Sequence, residues 1–257
     1  MEPSLGIVIP AFRPDVGHLV GYVRELADRL DPAAVRIELD DPRSRVESPL
    51  RAADLPPSAT LSVVRRRRGK GAAVTAGFEA LDTDLLLFVD ADGSTPVRSV
   101  ERILGPLYAG RADVAVGSRR HPDSTVTSHQ TLARRRLGDG FAWLARRLLD
   151  AELYDYQCGA KALTAERWEH VRGHLYESGF AWDIELVAMA AALGARVVEV
   201  PIEWEDRPGS TVSPVRTTLS LARALFVVRH RAKRLGSSPL HDAIAEHRDE
   251  TALVDRE

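Results

Sequence analysis

The chain has 257 residues, 44% of them hydrophobic, enough to bury one sizeable core and within the range of a single α/β domain. Its 35 Lys and Arg nearly balance 37 Asp and Glu, so it lacks the basic excess of a nucleic-acid-binding protein, and no apolar run approaches the length of a bilayer span. A single cysteine, Cys158, excludes an intrachain disulfide, and the N-terminus enters a strand pattern without a basic, apolar leader, which points to a reducing, cytoplasmic setting.

Short apolar runs alternate with longer amphipathic stretches along the first half. Strands are predicted at Leu5 to Pro10, Val35 to Leu39, Thr60 to Val64, Leu85 to Val89 and Val114 to Gly117. Helices are predicted between them at Asp15 to Leu30, Gly71 to Leu81 and Val97 to Tyr108. This alternation predicts an α/β fold with a mainly parallel sheet flanked by helices. Ligands of such sheets sit beyond the carboxyl ends of the strands, which lines up Pro10, Asp40, Asp41, Asp90, Asp92 and Arg119 along one edge. The second half is looser: a helix at Leu132 to Leu149, a Cys-Gly turn, a helix at Asp183 to Leu193, a strand at Arg196 to Ile202 and a loop at Asp206 to Ser213. From Pro214 to Leu235 an amphipathic helix carries Arg223, Arg229, Arg231, Lys233 and Arg234, and the tail from Gly236 to Glu257 is polar and acidic in balance. The organisation expected is therefore a domain over residues 1–213, a helix over 214–235 and a polar tail over 236–257.

Two carboxylates one residue apart, Asp90 and Asp92, follow the apolar strand Leu85 to Val89 directly. A core cannot absorb both, so they need a cation or solvent; hard oxygen ligands suit Mg²⁺ or Mn²⁺ held together with substrate phosphates. Competing phosphate sites fail on residues. No Gly-x-Gly-x-x-Gly follows the first strand, and Arg68-Gly69-Lys70-Gly71 lacks the spacing and the Ser or Thr of a P-loop. That basic segment reads either as a lip where helix-terminal amides and Lys70 meet an anion, or as an ordinary helix-initiating loop.

Taken together, Val8 to Phe12, Arg68 to Ala72, Val89 to Pro96, Gly117-Ser118-Arg119, Gln157 to Lys161 and Trp182 to Leu186 stand in an order that resembles family 2 glycosyltransferases of the GT-A fold. The likeness runs from about Leu5 to Leu235, and is strongest to dolichyl-phosphate (polyprenyl-phosphate) β-glucosyltransferases and their mannosyl relatives. It implies a GT-A, Rossmann-like sheet and a metal-dependent, inverting transfer of a hexose from a nucleotide sugar to a polyprenyl or dolichyl phosphate. Asp40 or Asp41 resembles the carboxylate that pairs with the base. Asp90 and Asp92 resemble the donor and metal pair, with Ser94 a further ligand position. Arg119 and Arg134 resemble the cations that receive the lipid phosphate. Gln157, Gly159 and Lys161 match the signature that shapes the sugar and acceptor pocket, which Asp155 opens. Asp183 and Glu185 resemble groups that orient sugar hydroxyls, or are helix N-terminal acids. Arg207 with Gly209-Ser210-Thr211 resembles a loop that closes over the donor diphosphate. Arg13-Pro14 and Pro42-Arg43-Ser44 replace the family's usual residues near the base, which leaves UDP-glucose and GDP-mannose types open, while the Asp-Gly-Ser-Thr-Pro and Gln-Cys-Gly runs favour UDP-glucose.

An ionised lipid phosphate needs alignment and cations but no general base; a sugar hydroxyl would need a carboxylate to take its proton, with Asp155 or Asp183 as the candidate. The alternatives to a lipid acceptor are a polysaccharide or soluble glycan, or a non-catalytic protein that binds nucleotide sugars. The basic face of the Pro214 to Leu235 helix suits an anionic membrane surface, so peripheral contact at the cytoplasmic face, or a membrane partner, is expected.

Overall fold

The structure, a computed structural model, describes residues 2–127, 132–205, 214–235 and 251–256. In chain order the first half runs β1 (Leu5–Ala11), α1 (Val16–Leu30), β2 (Ala34–Asp40), α2 (Ser44–Ala52), β3 (Ala59–Val64), α3 (Lys70–Glu79), β4 (Leu85–Val89), α4 (Val97–Tyr108) and β5 (Val114–Ser118). The second half adds β6 (Thr125–Thr127), α5 (Leu132–Leu148), β7 (Ala160–Thr164), α6 (Ala165–Val171), α7 (Trp182–Ala192), β8 (Val197–Pro201), β9 (Glu203–Glu205) and α8 (Pro214–Leu235).

A seven-stranded sheet has the order β3-β2-β1-β4-β7-β5-β8, parallel apart from β7, which runs antiparallel to both its neighbours. Strand periodicity divides the core between its two faces. Val8, Leu86, Phe88, Val114 and Val116 enter one apolar cluster, and Ile7, Ile9, Leu85, Leu87 and Ala115 the other. In α1 the Asp15 carboxylate accepts the His18 amide at 2.9 Å as a cap, and Leu19, Val20, Tyr22, Val23 and Leu26 form the buried stripe. Helix α7 is buried at every position from Trp182 to Ala190, which its near-continuous apolar sequence permits.

Strand β7 escapes the apolar pattern because its second residue is Lys161, yet it decides the geometry of the site. Being antiparallel, it starts where β4 ends: Ala160 pairs with Val89, and the Gly159 carbonyl accepts the Asp90 amide at 2.8 Å. The segment Gln157 to Gly159 is thereby delivered to the carboxyl edge of the parallel strands. Helix α2, with Pro49 inside it, was not predicted either.

Helix α8 packs on α5 and α7. Leu221, Ala224, Leu225, Val228 and Ala232 follow helical spacing and join the cluster that holds Trp182. Leu225 and Val228 are fully buried, worth about 1.5–3 kcal/mol each. The apolar stripe of this helix is therefore committed to the core shared with residues 1–213. Phe226, 57% exposed, stands outside that stripe.

Candidate functional site

A cleft of about 390 Å³ opens at the carboxyl ends of β1, β2 and β4, where the strand order reverses between β1 and β4. Pro10, Ala11 and Phe12 line it from the end of β1, Asp40 from β2, Asp90 from just past β4, Arg67 to Gly69 from the loop before α3, Lys70 from the start of α3, and Gly179 and Phe180 from the loop before α7. Phe12 has the Arg67 guanidinium 4.1 Å and the Arg13 guanidinium 4.8 Å from its ring centroid. Arg67, Gly179 and Phe180 are not singled out by the sequence, and Phe12 enters there only as the end of the Val8 to Phe12 run.

Asp90 sits at the base of the cleft with its side chain 43% exposed, and Lys70 Nζ lies 2.9 Å from its Oδ1. The same ammonium is 3.0 Å from Asp183 Oδ2, while Lys161 Nζ takes Asp183 Oδ1 at 2.7 Å and also donates to the Cys158 carbonyl at 2.7 Å. Desolvation raises the Asp90 pKa, opposed by Lys70 and helped by Asp92. For Asp183 burial acts upward, but Lys161 and Lys70 together outweigh it and hold the carboxyl below the usual range. Gly159 lies directly against the Asp90 carboxylate, and a Cβ there would collide with Asp90 Oδ2. Asp92 is exposed on the following turn, its Oδ1 accepting the Ser94 amide at 2.9 Å. Ser94 is buried, and the contact it makes with Asp92 is through its main chain. Among the described residues no group of three or more His, Cys, Asp or Glu side chains is arranged to hold a metal.

Arg119, just past β5, forms a two-pronged pair with Asp155: Nε to Oδ2 at 2.7 Å and Nη2 to Oδ1 at 3.0 Å. Burial pushes the Asp155 pKa up, but the Arg119 charge and bonds dominate and hold it well below the usual carboxylate range. Gln157 gives its amide to Asp155 Oδ1 at 3.0 Å, and Glu199 on β8 accepts the amides of Tyr154 and Asp155 at 2.8 Å each. The pairing occupies one edge of the guanidinium and leaves Nη1 outside it.

The two aspartates ending β2 differ. Asp40 is 3% exposed; its Oδ2 accepts the amides of Arg68 at 2.7 Å and Gly69 at 3.0 Å, and its Oδ1 the Arg68 Nε at 2.7 Å. Asp40 thus holds the basic loop in place. Asp41 is exposed, with a left-handed φ of 42°. Gly69, at φ 100°, packs its Cα on the Ser178 carbonyl with no room for a side chain. Lys161 and Glu185 lie in the protein interior: Lys161 is fully buried, and Glu185, also buried, accepts the amides of Tyr176 at 2.7 Å and Glu177 at 2.8 Å. Arg134 lies on α5 with its side chain outside the described residues, and Arg207 with the 209–211 segment lies outside them altogether.

The model of Glycosyl transferase family 2 matches residues 40–161, a span that holds Asp40, Lys70, Asp90, Asp92, Arg119, Asp155 and Lys161. That match spans just under half of the chain, which is similar to glycosyltransferase family 2 over those residues. It is similar to the glycosyltransferase AglD of Haloferax volcanii, 33% identical over 62% of this chain and 25% of the relative. It is 31% identical to the dolichyl-phosphate beta-glucosyltransferase of Mus musculus over 65% of this chain and 53% of that protein. The chain thus spans about half the length of the dolichyl-phosphate beta-glucosyltransferase and a quarter of AglD. In fold, the chain is similar to glucosyl-3-phosphoglycerate synthase from Mycobacterium tuberculosis, crystallised with Mn²⁺, UDP-glucose and phosphoglyceric acid. The TM-score is 0.68 at 14% identity, covering 88% of this chain and 80% of that one. The architecture is GT-A.

Proposed function

We propose that this protein transfers a hexose, glucose, from a nucleotide sugar of the UDP-glucose type to a polyprenyl or dolichyl phosphate, with inversion at the anomeric carbon. The observation that carries this reading is the state of the two carboxylates that could serve as a base. Asp155 is paired two-pronged to Arg119, and Asp183 is held between Lys70 and Lys161, so both stay anionic and neither is a competent proton acceptor near neutral pH. An acceptor that arrives ionised needs no such group, whereas a glycan hydroxyl would. The dolichyl-phosphate beta-glucosyltransferase relatives support the same acceptor class.

In this reading the diphosphate lies at the Lys70 end of the cleft, where α3 begins and its dipole favours an anion. Asp90 and Asp92 fit Mg²⁺ or Mn²⁺: they supply two hard oxygen donors, and such cations take the rest of their shell from phosphates and water. When bound, the cation neutralises charge on the leaving diphosphate. Gly159 keeps space for the Asp90 carboxylate, and Arg119, fixed by Asp155, presents its remaining N–H groups to the acceptor phosphate. A phosphate oxygen attacks the anomeric carbon from the side opposite the diphosphate, the bond to the diphosphate breaks, and an α-linked donor gives a β-linked lipid. Asp41 is the base reader of the β2 pair, because the oxygens of Asp40 are already bonded to Arg68 and Gly69.

Among the described residues no helix is long and apolar enough to cross a membrane. Peripheral contact with an anionic, cytoplasmic-face membrane is supported by Trp143 and Phe226, 54% and 57% exposed, with the Arg147 guanidinium 5.3 Å from the Trp143 ring centroid.

The test is incubation of purified protein with radiolabelled nucleotide sugars, Mn²⁺ or Mg²⁺ and a polyprenyl phosphate. Label from UDP-glucose should become organic-extractable. Label passing only to a soluble glycan or to water would overturn the acceptor, and nucleotide binding without turnover would favour a non-catalytic protein.

A further inference from the structure

One wall of the cleft is the loop from Leu175 to Phe180, and it has little secondary structure of its own. Its position depends on what grips it from behind. Towards the cleft, Ser178 accepts the Ala72 amide at 3.2 Å and packs on Gly69, while Gly179 and Phe180 face the site. On the opposite side, Glu185 Oε2 accepts the amides of Tyr176 and Glu177 at 2.7 and 2.8 Å. Glu185 is fully buried, so its charge needs a partner there, and Arg231 of α8 supplies it through an Nη1 to Oε1 ion pair. The same guanidinium lies 3.6 Å from Glu177 Oε1 and 4.6 Å from the Tyr176 ring centroid. It thus touches the buried anchor, the backbone-bonded Glu177 and the aromatic residue beside it, all three members of the grip.

We propose that Arg231 is a positioning residue for the nucleotide: by holding Glu185, Glu177 and Tyr176 together it sets the 176–180 wall against the Gly69 to Ala72 amides. Helix α8 is in this way part of the donor site although none of its described residues lines the cleft. The inference rests on the reading of the cleft as a nucleotide-sugar site.

The test compares Arg231→Ala, Arg231→Lys and the double variant Arg231→Ala with Glu185→Gln. The double variant removes the buried carboxylate that is left unpaired in Arg231→Ala and destabilises it. Isothermal titration with UDP and Mn²⁺, donor and acceptor KM against kcat, and amide exchange of residues 69–73 and 176–180 are the readouts. The double variant should keep its cooperative unfolding but bind UDP about tenfold more weakly. Donor KM should rise with it while acceptor KM stays within experimental error, and exchange should increase in both segments. Millimolar guanidinium chloride, not sodium chloride, should recover UDP affinity in Arg231→Ala. A folded double variant with wild-type UDP affinity and unchanged exchange would overturn the proposal. If the wild-type chain bound no nucleotide the donor reading would fail, and the exchange arm would still decide whether Arg231 sets the loop.

Discussion

Lys161 Nζ, fully buried in the middle of the sheet, donates a 2.7 Å bond to Asp183 Oδ1, and the other oxygen of that carboxylate lies 3.0 Å from Lys70. The buried lysine therefore fixes the aspartate that fixes the lysine at the cleft floor. Removing it leaves the buried Asp183 carboxylate with Lys70 alone, and breaking a buried pair costs up to about 3–5 kcal/mol. Lys161→Met should lose stability on that scale in urea titration, and adding Asp183→Leu should restore part of it without restoring turnover.

Acid sensitivity follows from the same pairs. The carboxyls of Asp155 and Asp183 are held below the ordinary aspartate value of 3.8, so each binds its proton more weakly folded than unfolded. Their stabilisation is complete above that value and is lost as pH falls through the folded pKa values. Unfolding free energy should be level with respect to these two groups from pH 5 to 8 and drop below about pH 4. Denaturant titrations at several pH values check this; a drop that persists in Asp155→Asn with Asp183→Asn would assign it to other groups.

The packing of Gly159 against Asp90 predicts an effect out of proportion to one methyl group. Gly159→Ala must push the Asp90 carboxylate or the β7 entry aside, an overpacking cost of about 1–3 kcal/mol. Asp90 should yield first, being partly exposed, so Mn²⁺-dependent UDP binding should weaken strongly with only a modest fall in melting temperature. Unaltered Mn²⁺-dependent binding would show that Asp90 is not the cation ligand.

Removal of the cation should abolish transfer. Chelation is expected to stop label transfer reversibly, with Mn²⁺ or Mg²⁺ restoring it in the wild type but not in Asp90→Asn or Asp92→Asn. Retention of full activity in a chelator would refute metal dependence.

Cys158 should be chemically quiet. It is fully buried, and burial pushes its thiol up to about 12, so almost no thiolate exists near neutral pH. Alkylating reagents should leave activity intact in the folded protein, and Cys158→Ala should retain most turnover. Rapid inactivation by such a reagent would point to an opening of the Gln157 to Lys161 segment.

The sequence alone determined the parallel half of this protein and the residues at its edge. Period-two apolar strands and period-3.6 helices are local signals, and they put Pro10, Asp40 and Asp90 at strand ends along one edge of the sheet. Tertiary structure decided the partners of those residues. Nothing local reveals that Lys161 lies in a central antiparallel strand, since a buried lysine is tolerable only because Asp183, 22 residues later, neutralises it. The same holds for Asp40, whose bonds to Arg68 and Gly69 make it a loop anchor, and for α8, whose stripe reads equally well against lipid or protein. Its apolar side found Trp182, and its Arg231 found Glu185 46 residues upstream, because burying that carboxylate required a cation that only the folded chain could bring to it.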